Sequence, residues 1–94
     1  METRKKLKIP GLYVISTKES SNRWCCLMSD THDLPIRRYT SKPIEKITDF
    51  IKLFEDSLYK LDWTGEYTND HYNAILEMEK KISTNNNGKY YIKK

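Results

Sequence analysis

The sequence predicts an α+β fold in which a three-stranded antiparallel meander is followed by two amphipathic helices. Short segments rich in β-branched and aromatic residues alternate with polar segments over residues 11–40, which is typical of strands joined by tight connections. Apolar residues then recur at steps of three and four over residues 41–61 and again over residues 70–83, which is the helical period. A chain of 94 residues can form one modest core, so we predict a single domain over residues 11–94.

The predicted strands are three segments with alternating apolar and polar residues, separated by polar stretches that favour turns. These segments are residues 11–17, 23–28 and 35–40. In the second strand, alternation places Trp24, Cys26 and Met28 on one face. We expect the main helix to cover one face of the sheet, with Trp24 and Cys26 in the core.

The longest periodic stretch, residues 41–61, predicts the helix around which the chain is organised. Its apolar face consists of Ile44, Ile47, Ile51, Phe54, Leu58 and Leu61. Ser41 can cap the free backbone N–H groups of the first turn, and Pro43 is well suited to the start of a helix because it has no N–H group.

A second amphipathic helix is predicted over residues 70–83, antiparallel to the first, with Thr68, Asn69 or Asp70 as its cap. The sequence TNNNG at residues 84–88 predicts a turn. Residues 89–93 are a candidate for a last short strand along a sheet edge. The predicted core consists of Leu12, Val14, Trp24, Cys26, Ile36, Ile44, Ile47, Ile51, Phe54, Leu58, Ile75, Leu76 and Ile82.

Charge is distributed unevenly along the chain. The net charge is +4, but residues 1–42 have nine basic and four acidic side chains, whereas residues 43–88 have five basic and nine acidic ones. We predict that residues 1–10 form a basic N-terminal arm, either a solvated tail or a segment that contacts phosphate groups. A uniformly basic nucleic-acid binder would not have such an acidic second half.

The sequence contains no recognisable catalytic or cofactor-binding set. Its two histidines, His32 and His71, have no adjacent nucleophile motif, and three glycines are too few for a phosphate-binding loop. The adjacent Cys25 and Cys26 lack the spacing with which two sulfurs converge on zinc. We therefore predict a protein that is not an enzyme and has no catalytic residues, cofactor or metal site.

The expected location is the cytoplasm. No apolar run is long enough to cross a membrane, and the basic N-terminus is not followed by the apolar block of a secretory signal. Neighbouring cysteines on a strand point to opposite faces, so Cys25 and Cys26 are expected to be reduced thiols. No membrane partner is expected.

A three-stranded sheet backed by a helix resembles the arm-binding domains of phage and transposon integrases, which place the sheet in a groove of double-stranded DNA. The basic and aromatic residues that carry this resemblance are Arg23, Trp24, Arg37, Arg38 and Tyr39. It implies a small DNA-binding accessory protein that uses the sheet, the basic arm Arg4–Lys8 and the basic C-terminal tail Lys89–Lys94. The residues expected at the DNA are Arg4, Lys5, Lys6, Arg23, Arg37, Arg38, Tyr39 and Lys89.

A second resemblance covers more of the chain. Three strands and two helices, with the sequence IEKITDFIKLFEDSLYKLDWTGEYTNDHYNAILEM at residues 44–78, are similar to small phage anti-CRISPR proteins, which inhibit CRISPR effector nucleases. The resemblance implies a phage or mobile-element protein that binds a host defence nuclease through protein–protein contacts, with carboxylates in place of DNA phosphates. The implied contact residues are Glu45, Asp49, Asp56, Asp62, Glu66 and Asp70. We favour this function over DNA binding, and a structural virion subunit is a third alternative.

Overall fold

The computed structural model describes residues 2–19, 22–32, 34–39, 44 and 46–93. Its elements, in chain order, are β1 (Glu2–Lys6), β2 (Leu12–Glu19), β3 (Asn22–Ser29), β4 (Leu34–Tyr39), α1 (Ile47–Leu58), α2 (Asn69–Glu79), β5 (Ile82–Thr84) and β6 (Tyr90–Ile92). Strands β1 to β4 form one antiparallel sheet in sequence order, and β5 pairs with β6 in a second sheet. The α+β class is confirmed, but the main sheet has four strands rather than the predicted three.

The additional strand comes from the segment predicted to be a basic arm. Strand β1 pairs with β2 from Glu2 opposite Thr17 to Lys6 opposite Tyr13, and Leu7 and Ile9, which follow it, are buried. All five side chains of β1 are exposed, so the strand has no apolar alternation to reveal it in the sequence. Charged side chains are common on edge strands because they discourage pairing with other chains.

The faces of β3 are reversed relative to the prediction. Cys25 and Leu27 are buried in the core, whereas Trp24, Cys26 and Met28 are half-buried on the opposite face. Both sets of side chains are apolar, so alternation alone could not determine which set faces the helices. The prediction that Trp24 and Cys26 belong to the core is therefore wrong.

Helix α1 is shorter than predicted, and its apolar face is rotated. It begins after Lys46, which provides no side-chain cap; the predicted contributions of Ser41 and Pro43 lie outside the described residues. Ile44 precedes the helix and forms an isolated parallel bridge with Tyr90. The buried residues of α1 are Phe50, Ile51, Leu53, Phe54 and Leu58, whereas Ile47 and Leu61, before and after them, are only partly buried.

Helix α2 ends at Glu79, so that Ile82 begins β5 instead of the last helical turn predicted for it. Thr68 caps the helix, as one of the three predicted candidates. Leu76 is 37% exposed and does not belong to the core as predicted. The predicted last strand is present as β6, but it pairs with β5 and does not extend the main sheet.

The core lies between the main sheet and the two helices. Seven of the predicted core residues are buried there: Leu12, Val14, Ile44, Ile51, Phe54, Leu58 and Ile75. Ile36, Ile47 and Ile82 pack against its margin. The sequence did not reveal Tyr39, whose ring lies 6.1 Å from that of Phe54 and 5.5 Å from that of Tyr90. No helix in the described part of the chain is long and apolar enough to span a membrane.

Buried ionisable groups make the stability sensitive to alkaline pH. Burial raises the pKa of the Cys25 thiol, and burial together with the nearby Glu79 carboxylate raises the pKa of Tyr39. In the unfolded chain these groups lose their protons near their ordinary pKa values of about 8.5 and 10, whereas the folded chain retains the protons, so rising pH favours unfolding.

We expect the free energy of unfolding to fall above about pH 8.5 and more steeply above about pH 10. Urea titrations across this range should show a smaller decrease above pH 10 for Tyr39→Phe, and an unchanged decrease would contradict the assignment to Tyr39.

Candidate functional site

An ion pair between Arg37 and Glu79 joins strand β4 of the main sheet to helix α2. The Arg37 guanidinium donates from Nε to Oε2 of Glu79 at 2.8 Å and from Nη2 to Oε1 at 2.7 Å. The Tyr39 hydroxyl also donates to Oε2 of Glu79, at 3.0 Å. Such a bidentate geometry fixes the orientation of the guanidinium relative to the carboxylate. Hydrogen bonds to Glu79 raise the pKa of Arg37 further above its already high ordinary value, so the guanidinium stays charged and oriented.

Removing the charge of Glu79 tests the strength of this link. The Glu79 side chain is 21% exposed and that of Arg37 is 39% exposed, so water screens part of the attraction. We expect Glu79→Gln to lower the free energy of unfolding by about 1–2 kcal/mol, because two charge-assisted bonds and the tyrosine contact weaken together. Glu77→Gln is the control, since its bond to Lys80 joins side chains that are each 72% exposed. Equal effects of the two substitutions in a urea titration would contradict the role of Glu79.

His71 has a structural role at the start of α2. Its Nδ1 accepts a hydrogen bond from the Thr68 backbone N–H at 3.0 Å, and its Nε2 lies 2.6 Å from the Asp62 carbonyl oxygen. The first contact requires an unprotonated Nδ1 and the second a protonated Nε2, which assigns the tautomer. Both ring nitrogens are therefore engaged, which leaves neither free to act as an acid or base on a substrate.

A pocket of about 290 Å³ lies between β4 and the connection that joins the two helices. Its walls are mainly apolar and are formed by Leu34, Pro35, Ile36, Trp63, Tyr67 and His71. Ser29, His32, Gly65 and Glu66 complete the lining. No local sequence pattern predicts this pocket, because its two sides are separated by almost thirty residues of the chain.

Four exposed apolar side chains lie on β4, on the connection between the helices and on α2. We call these residues the aromatic patch: Leu34, Tyr67, Tyr72 and Leu76, which are 59%, 51%, 46% and 37% exposed. Leu34 and Tyr67 line the same pocket, and Tyr72 and Leu76 are one turn apart on α2. Tyr67 and Tyr72 are both within electrostatic range of Arg37. The patch therefore comprises residues of β4, of the connection between the helices and of α2, and its two tyrosines are near an arginine that Glu79 holds in place.

The predicted acidic contact residues are divided between two places. Asp49 and Asp56 are exposed on α1, beside β6. The other group lies between the helices and in the first turn of α2, and consists of Asp62, Glu66 and Asp70. Glu45 lies outside the described residues. Of the five described residues, Glu66 is the one that lines the pocket beside the aromatic patch.

Asp62 has a local structural role within that second group. Its Oδ1 accepts hydrogen bonds from the Thr64 backbone N–H at 3.0 Å and from the Thr64 hydroxyl at 2.6 Å. These bonds lower the pKa of Asp62 and hold the turn that follows Leu61. Glu66 and Asp70 are therefore the carboxylates best placed to meet a partner.

Three of the predicted DNA-contacting residues share the sheet face that points away from α1. Arg4 places its guanidinium 4.5 Å from the centre of the Tyr13 ring, Lys6 pairs with Asp30 at 3.1 Å, and Arg38 lies opposite Cys26 in the pairing of β3 with β4. Trp24 lies on the same face. This outer sheet face combines basic and aromatic side chains.

The other predicted DNA contacts are not on that face. Lys5 and Arg23 line a groove between the sheet and α1. Arg37 and Tyr39 are bound to Glu79, and Lys89 follows the turn of the β5–β6 hairpin. The structure therefore does not bring the eight residues together into one surface.

The two cysteines are adjacent on β3 and lie on opposite faces of the sheet. Cys25 and Cys26 are free thiols, and burial raises the pKa of Cys26 while Arg38 opposes that effect. Within the described ranges, no group of three or more histidine, cysteine, aspartate or glutamate side chains is placed to hold a metal ion.

Comparisons of the chain with protein-family models, with curated protein sequences and with solved structures give no significant match. No relative therefore supplies a function or a set of site residues. The features of the molecule that bear on function are the aromatic patch, the carboxylate of Glu66 at the pocket and the outer sheet face.

Proposed function

We propose that this protein is a non-enzymatic phage or mobile-element protein that inhibits a bacterial defence nuclease, such as a CRISPR effector, by protein–protein contact. The main support for such a contact is the aromatic patch, in which Tyr67 and Tyr72 are exposed near an arginine that Glu79 holds in place. Tyrosine and arginine are enriched among the residues that dominate binding energy at protein interfaces. Large exposed apolar groups in one place also indicate an interaction surface.

The acidic residues near the patch indicate that the partner has a basic surface. Glu66 is exposed next to Tyr67 and lines the same pocket, and Asp70 is exposed in the first turn of α2. A nuclease binds nucleic acid through a basic channel, so a surface with carboxylates beside apolar anchors complements the mouth of such a channel. The choice of a defence nuclease rests on the sequence resemblance to anti-CRISPR proteins.

A DNA-cleavage assay tests this proposal. We expect the purified protein to inhibit at least one member of a panel of purified CRISPR effector nucleases when it is added before the DNA substrate. Glu66→Lys should weaken inhibition about tenfold, because it places a positive charge against a basic surface. Asp56→Lys, the same charge change on α1, is the matched control and should retain inhibition. Failure to inhibit any member of the panel, or an equal loss with both variants, would contradict the proposal.

The outer sheet face favours DNA binding as the second candidate. Arg4, Lys6 and Arg38 lie with Trp24 on the sheet face that points away from α1, and basic side chains on one face suit contact with the phosphate backbone of DNA. The ion pairs of Lys6 with Asp30 and of Arg37 with Glu79 reduce the available positive charge.

Binding to a labelled mixed-sequence duplex at low and near-physiological salt distinguishes this candidate. Direct phosphate contact predicts tight binding that weakens steeply with salt, and weaker binding by Arg4→Ala with Arg38→Ala. Lys60→Ala with Lys80→Ala, which removes two charges elsewhere, is the control. Absence of binding even at low salt would contradict DNA binding.

A further inference from the structure

Two rings that line the pocket beneath the aromatic patch are held by hydrogen bonds to residues outside the pocket. Trp63 donates from Nε1 to the Leu58 carbonyl oxygen at 2.6 Å, and the His71 ring is fixed by Thr68 and Asp62. The Trp63 and His71 ring centres are 4.4 Å apart with the planes at 72°. These polar atoms are satisfied within the protein, so the rings offer mainly apolar surface to the pocket.

The size of the pocket suits one side chain of a partner. A volume of about 290 Å³ is just below the range of roughly 300–1,000 Å³ in which drug-sized ligands bind. The pocket opens beside Leu34 and Tyr67, which are 59% and 51% exposed. An occupant anchored in the pocket therefore also covers these two side chains.

The charge at the pocket has one sign. Glu66 contributes the only carboxylate among the described residues that line it, and no lysine or arginine lines it. Arg37 lies nearby, but its charge is compensated by the two bonds to Glu79. A positive group beside an apolar one is the complement of this arrangement.

We propose that the pocket receives one aromatic side chain of the partner protein, and that a neighbouring lysine or arginine of the partner pairs with Glu66. This inference rests on the proposed function, since it assigns the chemistry of the partner at the same surface. Preformed pockets filled by aromatic anchors commonly dominate the affinity of protein interfaces. An aromatic side chain held in the pocket would then fix the orientation in which Glu66 meets the partner.

Two small probes with the same ring and opposite charge test the inference without the partner. Phenethylamine is cationic and 3-phenylpropionate is anionic at neutral pH. The chain has two tryptophans, so the indole N–H signals in a ¹H–¹⁵N spectrum separate the pocket, at Trp63, from the outer sheet face, at Trp24. We expect phenethylamine to shift the Trp63 signal with a Kd of roughly 1–10 mM and to leave Trp24 unchanged. It should bind about two- to fivefold more tightly than 3-phenylpropionate.

Glu66→Gln tests the assignment of the charge preference. Glu66 is exposed, so the substitution should leave the fold intact, and the two probes should then bind equally. No shift of Trp63, equal shifts of both tryptophans, or a charge preference that survives Glu66→Gln would overturn the inference. The probes report on the pocket whether or not a nuclease is inhibited. Probe binding without inhibition would therefore count against the proposed function alone, and inhibition without probe binding would count against the pocket alone.

Discussion

Phe54→Ala should lower the free energy of unfolding by roughly 3–5 kcal/mol, because it removes a large side chain from a core that cannot close around the space. Phe54 has no exposed surface, and its ring centre lies 6.1 Å from that of Tyr39 and 6.3 Å from that of Phe50. The lost contacts thus involve both the sheet and α1. A domain of this size can have little more stability than that in total.

Urea and thermal unfolding measure the effect of Phe54→Ala. Tyr59→Ala is the matched control, since it truncates an aromatic residue that directly follows α1 and is 60% exposed. We expect the control to retain a cooperative transition near that of the parent protein. If Phe54→Ala unfolded at the same denaturant concentration as the control, the packing of α1 on the sheet would be contradicted.

Gly11→Ala should be the second strongly destabilising change. Gly11 has a φ of +91°, a conformation that residues with a Cβ rarely adopt. A Cβ at this position would lie 2.5 Å from the Trp63 carbonyl oxygen and 2.7 Å from its carbonyl carbon. These are backbone atoms that no rotamer change can move aside. Backbone strain and overpacking together should lower the free energy of unfolding by roughly 2–5 kcal/mol.

Gly65→Ala provides a control two residues from Trp63. Its nearest contact would be an Asp62 side-chain oxygen at 3.9 Å, and its φ is not positive. Such a change should be neutral or slightly stabilising, because alanine restricts the unfolded chain. Similar unfolding midpoints for the two variants would contradict the close approach of the β1–β2 connection to Trp63.

The sequence predicted those parts of the fold in which local pattern and tertiary packing agree. Helix α1 was recognised because Ile51, Phe54 and Leu58 follow the helical period and are also buried. Strand β1 could not be recognised, since ETRKK has only exposed side chains and is held by backbone pairing. Trp24 was assigned to the wrong face because both faces of β3 are apolar, and only the position of α1 distinguishes them.

The candidate site depends on contacts between distant parts of the chain. Arg37 and Glu79 are 42 residues apart, so no local pattern predicts their bond. Because of this bond, Arg37 pairs with Glu79 and is not available to contact DNA. Glu66 was expected at a partner surface from the resemblance to anti-CRISPR proteins, but its place in the lining of the pocket required the structure. Leu76 was assigned to the core from its apolar character, yet it is exposed beside Tyr72.

One cleavage assay with two double variants tests most directly whether the aromatic patch is the inhibitory surface. Tyr67→Ser with Tyr72→Ser removes the aromatic rings of the patch, and Arg4→Ala with Arg38→Ala removes two charges from the outer sheet face. With an inhibited CRISPR effector, we expect the tyrosine variant to need at least about tenfold more protein for half-inhibition, and the arginine variant to match the parent protein. The opposite result, with inhibition lost only in the arginine variant, would contradict the account and assign binding to the sheet.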